Sequence, residues 1–203
     1  LFEGLTKLSP DDPGLAASLA NAAYERGPLR EARAPLSRAL ELSPKDALLL
    51  ERAGRVRLEV GERAEAAGFF DRSLESQPRN ETLLWIRADL AKDMKDAPAE
   101  RSALGRALAL NPSRLDRRSR FIRLSLDAKD IAAARASLEP VWRELPAEVP
   151  ELSTFAGYWE EAGDLGKALE LWRRCATVDT SHEPAYASMA RLLLAARQPD
   201  EAL

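Results

Sequence analysis

The chain has 203 residues, of which 45% are hydrophobic and 31% are charged, a balance typical of folded proteins rather than of disordered or fibrous ones. Its 30 Lys and Arg residues against 33 Asp and Glu give a formal charge of -3, so no bulk positive field draws it to nucleic acid or anionic lipid. The single cysteine, Cys175, excludes an internal disulfide, and the single histidine, His182, leaves no ligand set for zinc.

The uncharged apolar runs are too short to cross a bilayer, since the longest cover residues 47–50 and 192–196 and a spanning helix needs about 20 apolar residues. No Gly-rich phosphate loop follows a strand, and no nucleophile has a histidine base. The sequence therefore predicts a protein that is not an enzyme, with no cofactor, no metal, no catalytic residue and no membrane insertion. The compartment stays open between cytoplasm and periplasm, because a disulfide-free helical protein works in either.

Prolines recur every 34 residues and set the period of a repeat, with Thr180 in the next place of the series. They are Pro10, Pro44, Pro78, Pro112 and Pro146. The residues 24 places before each mark are small in five of six cases: Ala20, Gly54, Ala88, Ile122, Ala156 and Ala190. The residues eight places before are large and apolar: Leu36, Phe70, Leu104, Leu138 and Trp172. This alternation of small and large side chains is typical of closely crossing helix pairs, and the period indicates a two-helix repeat.

The first predicted pair is a helix A near 14–26 and a helix B near 29–42, and both recur with the 34-residue shift through the chain. No segment has the pattern of a strand. Helix A is predicted to end at a glycine in a left-handed turn in three units, at Gly27, Gly61 and Gly163. In the other units the place is filled by Lys95, Lys129 and Arg197, which predicts a strained residue or a less regular turn. Pro35 and Pro140 fall inside predicted B helices, and each is expected to bend its helix.

These residues resemble the tetratricopeptide repeat family over essentially the whole chain. The two best copies contain Leu50, Ala53, Gly54, Ala66, Phe70 and Pro78, and Leu152, Phe155, Ala156, Trp159, Ala168 and Trp172. The resemblance implies an all-α fold, a right-handed superhelical α-solenoid of about six helix-turn-helix repeats of 34 residues. Two units depart from the family pattern, because Glu100 replaces a small residue and Arg118 and Ile122 occupy usually packed and small places.

The predicted organisation is one solenoid over residues 1–203. Residues 1–12 form the end of a preceding repeat, and residues 183–203 form a partial one. The full repeats are 13–46, 47–80, 81–114, 115–148 and 149–182. Phe2 and Leu5 would lie at an exposed end, so we expect a fragment of a longer array.

The resemblance implies that the A helices line a concave groove in which a partner binds. The side chains there that packing does not require include Ser18, Thr154 and Ser188 and the predicted partner-binding set of Asn21, Arg52, Arg55, Trp85, Asp89, Arg120, Arg123 and Arg191. Such arginines would hold an acidic or C-terminal segment through bidentate contacts, with Trp85 as an anchor. The alternative is a solvated face in which Trp85 packs between neighbouring A helices.

The family's clamp for chaperone tails, built from Lys and Asn on successive A helices, does not carry over. Its first lysine is replaced in turn by Ala17, Glu51, Trp85, Ser119, Ser153 and Ala187. Only Asn21 matches a clamp asparagine.

An acidic residue recurs near the C-terminal end of helix A in five units, where the helix dipole disfavours it. The five are Glu25, Glu59, Asp93, Asp127 and Glu161. We predict that they pair with arginines of the adjacent unit, the alternative being simple solvent exposure.

The densest basic run does not form one phosphate-tracking stripe, since at about 100° per residue its members point to different sides of a helix. It contains Arg114, Arg117, Arg118, Arg120 and Arg123. We therefore predict no nucleic-acid binding. Four aromatic residues are predicted to pack in the core: Trp142, Trp159, Trp172 and Tyr186. Cys175 is predicted to be packed and inert.

The sequence thus predicts a protein-protein interaction scaffold that binds a partner peptide or protein segment in the groove of the A helices. The alternative is a non-catalytic, substrate-presenting arm of a larger enzyme such as a glycosyltransferase. Arginine far outnumbers lysine in an alanine-rich chain, which favours a GC-rich bacterial genome. The pattern predicts neither the partner nor the oligomeric state.

Overall fold

The computed structural model describes residues 9–196, and these contain eleven α-helices, one short 3₁₀ helix and no strand. The A helices are α1 Pro13–Arg26, α3 Ala47–Glu59, α5 Glu81–Asp93, α7 Leu115–Asp127, α9 Val149–Glu161 and α11 Glu183–Ala196. The B helices are α2 Arg33–Leu42, α4 Arg63–Ser76, α6 Ala97–Leu110, α8 Ile131–Leu138 and α10 Leu165–Val178. The predicted all-α fold of paired helices is confirmed. The predictions for Phe2, Leu5 and Arg197 lie outside the described residues.

Most helices begin at a short polar side chain that accepts a backbone N–H of the first turn, a stabilising arrangement worth about 1 kcal/mol. These caps are Asp12, Asp46, Asn80, Asp96, Asp130 and Asp164. Two A helices of the described chain lack a side-chain cap, since Arg114 precedes α7 and Glu148 precedes α9.

The ends of the A helices follow the predicted left-handed turn in four of the described units. Gly61 and Gly163 have φ of 84° and 81°, and Lys95 and Lys129 both have φ of 59°. Gly27 is different, because its φ of -106° is extended and the prediction of a left-handed turn there is wrong. The next residue is a proline, which pushes its predecessor into the extended region.

The two prolines inside predicted B helices act in different ways. The first B helix is divided into a 3₁₀ segment, Leu29–Ala32, and α2, so that Pro35 lies in the first turn of α2, where no N–H is needed. Helix α8 ends at Leu138, and residues 139–144 form turns where a helix to 144 is expected. Pro140 accounts for this ending, since it lacks the N–H and its ring would clash with the carbonyl four residues earlier.

The helices form two compact units, divided between Pro112 and Ser113. We call the described residues 9–112 unit 1 and residues 113–196 unit 2. Unit 1 has one core cluster around Leu36 and Leu50 and another around Phe70 and Leu84. The core of unit 2 is a single cluster whose largest members are Trp142, Phe155, Trp159 and Trp172.

Helix pairs in both units match a large side chain with a small one, but they divide the volume differently. A Cβ on Gly54 would lie only 2.4 Å from Cε1 of Phe70, so the ring fills the space above the glycine. In unit 2 the same place holds Ile122, which is fully buried in one cluster with Leu138. The unusual isoleucine is therefore accommodated because its counterpart on helix B is a leucine rather than a phenylalanine.

The other departures from the family pattern are also buried. Glu100 lies inside unit 1 and Arg118 inside unit 2. The Nη1 group of Arg118 donates to the carbonyl of Ser137 at 2.9 Å, and burial lowers the pKa of this guanidinium. Both charged side chains are therefore part of the buried interior and are not exposed for a partner.

Three of the four predicted core aromatics are buried: Trp142, Trp159 and Trp172. Cys175 is buried too, and this burial raises the pKa of its thiol. Tyr186 is 45% exposed, so the prediction that it is a core residue is wrong for the described structure. The residues that follow α11 in the repeat pattern, where a covering helix B belongs, lie outside the described range.

An arginine on helix B joins consecutive repeats at four places that the sequence analysis did not single out. It recurs six residues before the proline marks, at Arg38, Arg72, Arg106 and Arg174. The first three donate to the carbonyls of Pro10, Pro44 and Pro78, at 3.0, 2.8 and 3.5 Å. Arg174 donates instead to Trp142 and Leu145, at 2.9 Å each, in the turns that follow α8. Pro140 interrupts the series.

None of the described helices combines the length and the apolar character that crossing a bilayer requires. Within residues 9–196, no three His, Cys, Asp or Glu side chains come together as ligands for a metal ion.

Candidate functional site

Arg52, a predicted groove residue in unit 1, ties α3 to α1. Its Nη1 donates to Oδ1 of Asn21 at 2.8 Å, and its Nη2 donates to Oε1 of Glu25 at 2.8 Å. The guanidinium also lies 4.9 Å from the ring centroid of Tyr24. Only 15% of this side chain is exposed, so Arg52 joins adjacent repeats.

Arg55 is likewise engaged within the chain. It donates through Nε and Nη2 to Oε1 of Glu51, at 3.0 and 2.8 Å. The second oxygen of Glu51 accepts from Nδ2 of Asn80, whose own side-chain oxygen caps α5. The charge of Arg55 is therefore balanced by a carboxylate that also reaches the next A helix.

Trp85 is half-buried against the second core cluster of unit 1. Its indole N–H donates to Oε1 of Glu81 at 3.0 Å, and the same oxygen accepts from Nδ2 of Asn111. Trp85 is therefore packed on one side against unit 1 and exposed in part on the other. Asp89 lies exposed on the same helix.

Arg123 in unit 2 pairs with acids of two A helices. It donates to both carboxylate oxygens of Glu161 at 2.6 Å and to Oδ1 of Asp127 at 3.0 Å. The hydrogen bonds from Arg123 lower the pKa of Glu161, and those of Glu161 raise the pKa of Arg123. The guanidinium also lies 5.8 Å from the Tyr158 ring, while Arg120 is exposed on the same helix.

Arg191 on α11 contacts Oε2 of Glu160, whose other oxygen accepts the indole N–H of Trp172 at 2.6 Å. The carboxylate of Glu160 thus bridges an exposed arginine and a buried tryptophan. Like the three arginines above, this predicted partner-binding residue already holds an acid of its own chain.

The recurrent acids at the ends of the A helices have three different outcomes. Glu25 and Glu161 pair with arginines of an adjacent A helix, as predicted. Asp127 pairs within its own helix. Glu59 and Asp93 are exposed and make no ion pair with any described residue, so the prediction is wrong for them. Arg52 lies on the A helix after Glu25. The corresponding residue on the A helix after Glu59 is an isoleucine, Ile86, which cannot form an ion pair.

A cleft of about 370 Å³ opens on the A helices of unit 2, between α7 and α9. Its lining consists of Leu115, Asp116, Ser119, Pro150, Glu151, Thr154 and Phe155. The sequence reasoning named Ser119 and Thr154 among groove positions but missed both acids. The signal for them was weak, because their places have no acidic counterpart throughout the other repeats.

The polar groups around this cleft are unevenly satisfied. Thr154 Oγ1 donates to the carbonyl of Pro150 at 2.7 Å, and the hydroxyls of Ser119 and Tyr158 share a hydrogen bond of 3.1 Å. Asp116 accepts two bonds of 3.3 Å from Arg114, which lower its pKa. Oε2 of Glu151, in contrast, is buried and has no hydrogen-bond partner in the described part of the chain.

No family model matches the sequence, and the curated proteins contain no relative that matches it. Solved structures do match its fold. YrrB, described as a TPR protein with an unusual peptide-binding site, has a TM-score of 0.60 and 20% identity over 92% of this chain and 96% of its own. A tetratricopeptide repeat protein from Parabacteroides merdae has a TM-score of 0.52 and 17% identity over 99% of this chain and 80% of its own.

A third match is a chain of the Naa15/Naa10 complex bound to HypK-THB, with a TM-score of 0.69 and 18% identity. It covers 99% of this chain but only 31% of that one, so the likeness concerns a segment of a longer protein. At identities of 20% or less, these matches speak for the fold alone. Together with the observed helix pairs, they give this chain the tetratricopeptide-repeat fold, an α-solenoid of helical repeats.

Proposed function

We propose that this chain is a non-catalytic protein-protein interaction scaffold, and that it binds a segment of a partner protein in the cleft between α7 and α9. The observation that carries the proposal is the cleft itself. It lies on two A helices of unit 2 and combines apolar walls, Leu115 and Phe155, with carboxylates and hydroxyls. Ligand sites commonly join an apolar surface to a few polar groups that fix orientation.

The fold supports a segment of protein as the ligand. One protein of this fold, YrrB, is described as having a peptide-binding site. An extended segment places successive side chains along the A helices, so that one of them enters the cleft while its neighbours lie on the surrounding helix faces.

The predicted arginine surface remains a competing proposal for the binding site, with an acidic or C-terminal segment as its ligand. It requires that a partner's carboxylates replace the chain's own, because Arg52 holds Glu25 and Arg123 holds Glu161. Exchanging one such charged hydrogen bond for another yields little net free energy. The cleft requires no exchange of this kind, which favours it as the site.

A library of short peptides capped at both ends tests the proposal against the full chain. Thr154→Trp should fill the cleft and reduce binding of the selected peptides by at least about tenfold, the loss expected when a central contact is removed. Thr177→Trp is the matched control, since Thr177 is exposed on α10 and its hydroxyl also bonds to a carbonyl four residues earlier.

Arg52→Gln separates the two sites. Binding that survives Thr154→Trp but is lost in Arg52→Gln would place the partner on the arginine surface and contradict the cleft. Circular dichroism of each variant establishes that the helices are intact.

A further inference from the structure

We infer that the cleft between α7 and α9 takes a cationic side chain, lysine or arginine, so that the bound segment is basic where it enters the cleft. The inference rests on the proposed function and specifies its ligand. It differs from the acidic segment that the arginine-rich A helices suggest from the sequence.

The first argument is the charge of the cleft lining. Two of its members, Asp116 and Glu151, are acids, and no lysine, arginine or histidine is among them. Asp116 is ionised at neutral pH, because its pKa lies below the ordinary value. A cation that enters the cleft therefore approaches carboxylates from a side where no basic side chain lines the wall.

The second argument is the unsatisfied oxygen of Glu151. Its Oε2 atom is buried and accepts no hydrogen bond from any residue between 9 and 196. A buried carboxylate oxygen without a donor is unfavourable, and a charged donor offers the strongest compensation. An ammonium or guanidinium group supplies donors and brings no acceptor of its own.

The third argument is that the neighbouring hydroxyl hydrogens are already used. The hydroxyl hydrogens of Thr154 and Ser153 are both directed to the carbonyl of Pro150. Pro150 itself has no N–H, so the first turn of α9 presents one donor fewer than a helix usually does. A ligand group that only donates fits these hydroxyls. The backbone N–H groups at the uncapped starts of α7 and α9 act in the opposite direction, and the two carboxylates of the lining must outweigh them.

The fourth argument is the apolar wall formed by Leu115, Pro150 and Phe155. Lysine and arginine bury their methylene stems along apolar surface and keep the charged head at a polar site. The cleft offers both surfaces within one cavity of about 370 Å³. A small inorganic cation would leave this wall unused.

Two arginines near the cleft oppose a cation, but they are already engaged. Arg114 and Arg117 lie 3.3 and 3.7 Å from the carboxylate of Asp116. Neither of them lines the cleft. A carboxylate has about four acceptor sites, so Asp116 retains capacity for a further donor.

The peptide library described above, read out position by position on the full chain, tests the charge of the ligand. We expect lysine or arginine to be selected at one position. Glu151→Gln should weaken the selected peptides by at least about tenfold, as expected for the loss of a charge-assisted hydrogen bond. Glu183→Gln is the control, because Glu183 is exposed in the first turn of another A helix, α11.

The outcomes separate the inference from the proposed function. If Thr154→Trp blocks binding but the selected peptides carry Asp, Glu or no charged residue, the cationic ligand is overturned and the cleft remains the site. Binding unaffected by Thr154→Trp, or no binding by any peptide, would overturn both. Unchanged affinity in Glu151→Gln would also refute the role of this carboxylate.

Discussion

Unit 1 and unit 2 have the same repeat length but use their A helices differently. In unit 1 the predicted groove side chains are engaged between repeats: Arg52 with Asn21 and Glu25, and Arg55 with a glutamate that reaches Asn80. In unit 2 Arg123 from the preceding A helix pairs with Glu161, and the A helices also form an open cleft with an unsatisfied acid. Repeats of the same length can therefore carry different polar and charged side chains on their A helices.

In such an array, many side chains of the A helices already have a structural role. The small and large places of the pattern are needed for packing, and the arginines that look available are needed between repeats. The cleft opens beside core residues such as Phe155, where Asp116 and Glu151 add carboxylates, and it lies in the unit with Ile122, Pro140 and a short α8. The candidate cleft of this chain thus lies where the repeat departs from its pattern.

The largest effect is expected from breaking the size match in unit 1. Gly54→Ala should destabilise the protein by about 2 to 3 kcal/mol, because the new Cβ would lie 2.4 Å from the Phe70 ring. Gly157→Ala in unit 2 should instead stabilise it by about 0.5 to 1 kcal/mol, since a Cβ there meets no atom within 4 Å and alanine favours a helix. Urea unfolding measures both. Equal effects of the two substitutions would contradict the size match.

The next effect concerns the arginines that fasten consecutive repeats. Arg174→Ala should cost about 1.5 to 2 kcal/mol, since this guanidinium bonds to the carbonyls of Trp142 and Leu145 in unit 2. Arg72→Ala should cost about 0.5 to 1 kcal/mol, because Arg72 has one such carbonyl, that of Pro44 in unit 1. Thermal unfolding of both variants gives the order. A larger loss for Arg72→Ala would show that the turns after α8 are not held by Arg174.

A smaller effect is expected from extending α8, which ends early in unit 2. Pro140→Ala returns an N–H that can bond to the carbonyl of Ala136, so α8 should continue beyond Leu138. The ¹³Cα chemical shifts of residues 139–142 should become helical, with a stability change within about 1 kcal/mol. Shifts that stay irregular would mean that buried Trp142, rather than the proline, fixes the turns.

The smallest effect is electrostatic. Arg123→Gln should raise the pKa of Glu161 toward its ordinary value, because the hydrogen bonds that lower it are lost. The depressed pKa contributes stability above the unfolded-state pKa, and this contribution disappears as the pH falls through the folded-state value. The variant should therefore lose stability near neutral pH, by less than about 1 kcal/mol because Glu161 is half exposed. Its free energy of unfolding should also change less than that of the original protein as the pH falls.

Carboxyl ¹³C titration of Glu161 in both proteins measures that change directly. The matched control is Arg143→Gln, whose guanidinium contacts the Trp142 ring and not this acid. An unchanged pKa in Arg123→Gln would show that the pair does not persist in solution.

The helix pairs were predictable because several independent size constraints agree at one period. The predicted A helices near 14–26 and 48–60 differ by one residue from α1 and α3, for example. The prolines show the limit of such reasoning, since Pro28 changes the conformation of Gly27 and Pro140 ends α8 through local sterics that a period does not record.

The candidate site was less predictable, because it depends on which polar groups find partners in three dimensions. Spacing placed Arg52 and Arg123 on the A helices and predicted arginine partners for Glu25 and Glu161, but it did not show which arginine each acid holds. Ser119 and Thr154 were recognised as groove positions, whereas the role of Glu151 follows only from its unsatisfied oxygen. That property belongs to the packing of α7 against α9 and not to a pattern along the chain.

The most direct test of this account is an amide NMR map of the full chain titrated with a peptide selected from the library. If the cleft is the site, the shifts of Ser119, Glu151 and Thr154 should move with increasing peptide, while those of α2 and α4 on the B side of unit 1 stay constant. Changes confined to α1, α3 and α5, with these three residues unaffected, would contradict it and place the partner on unit 1.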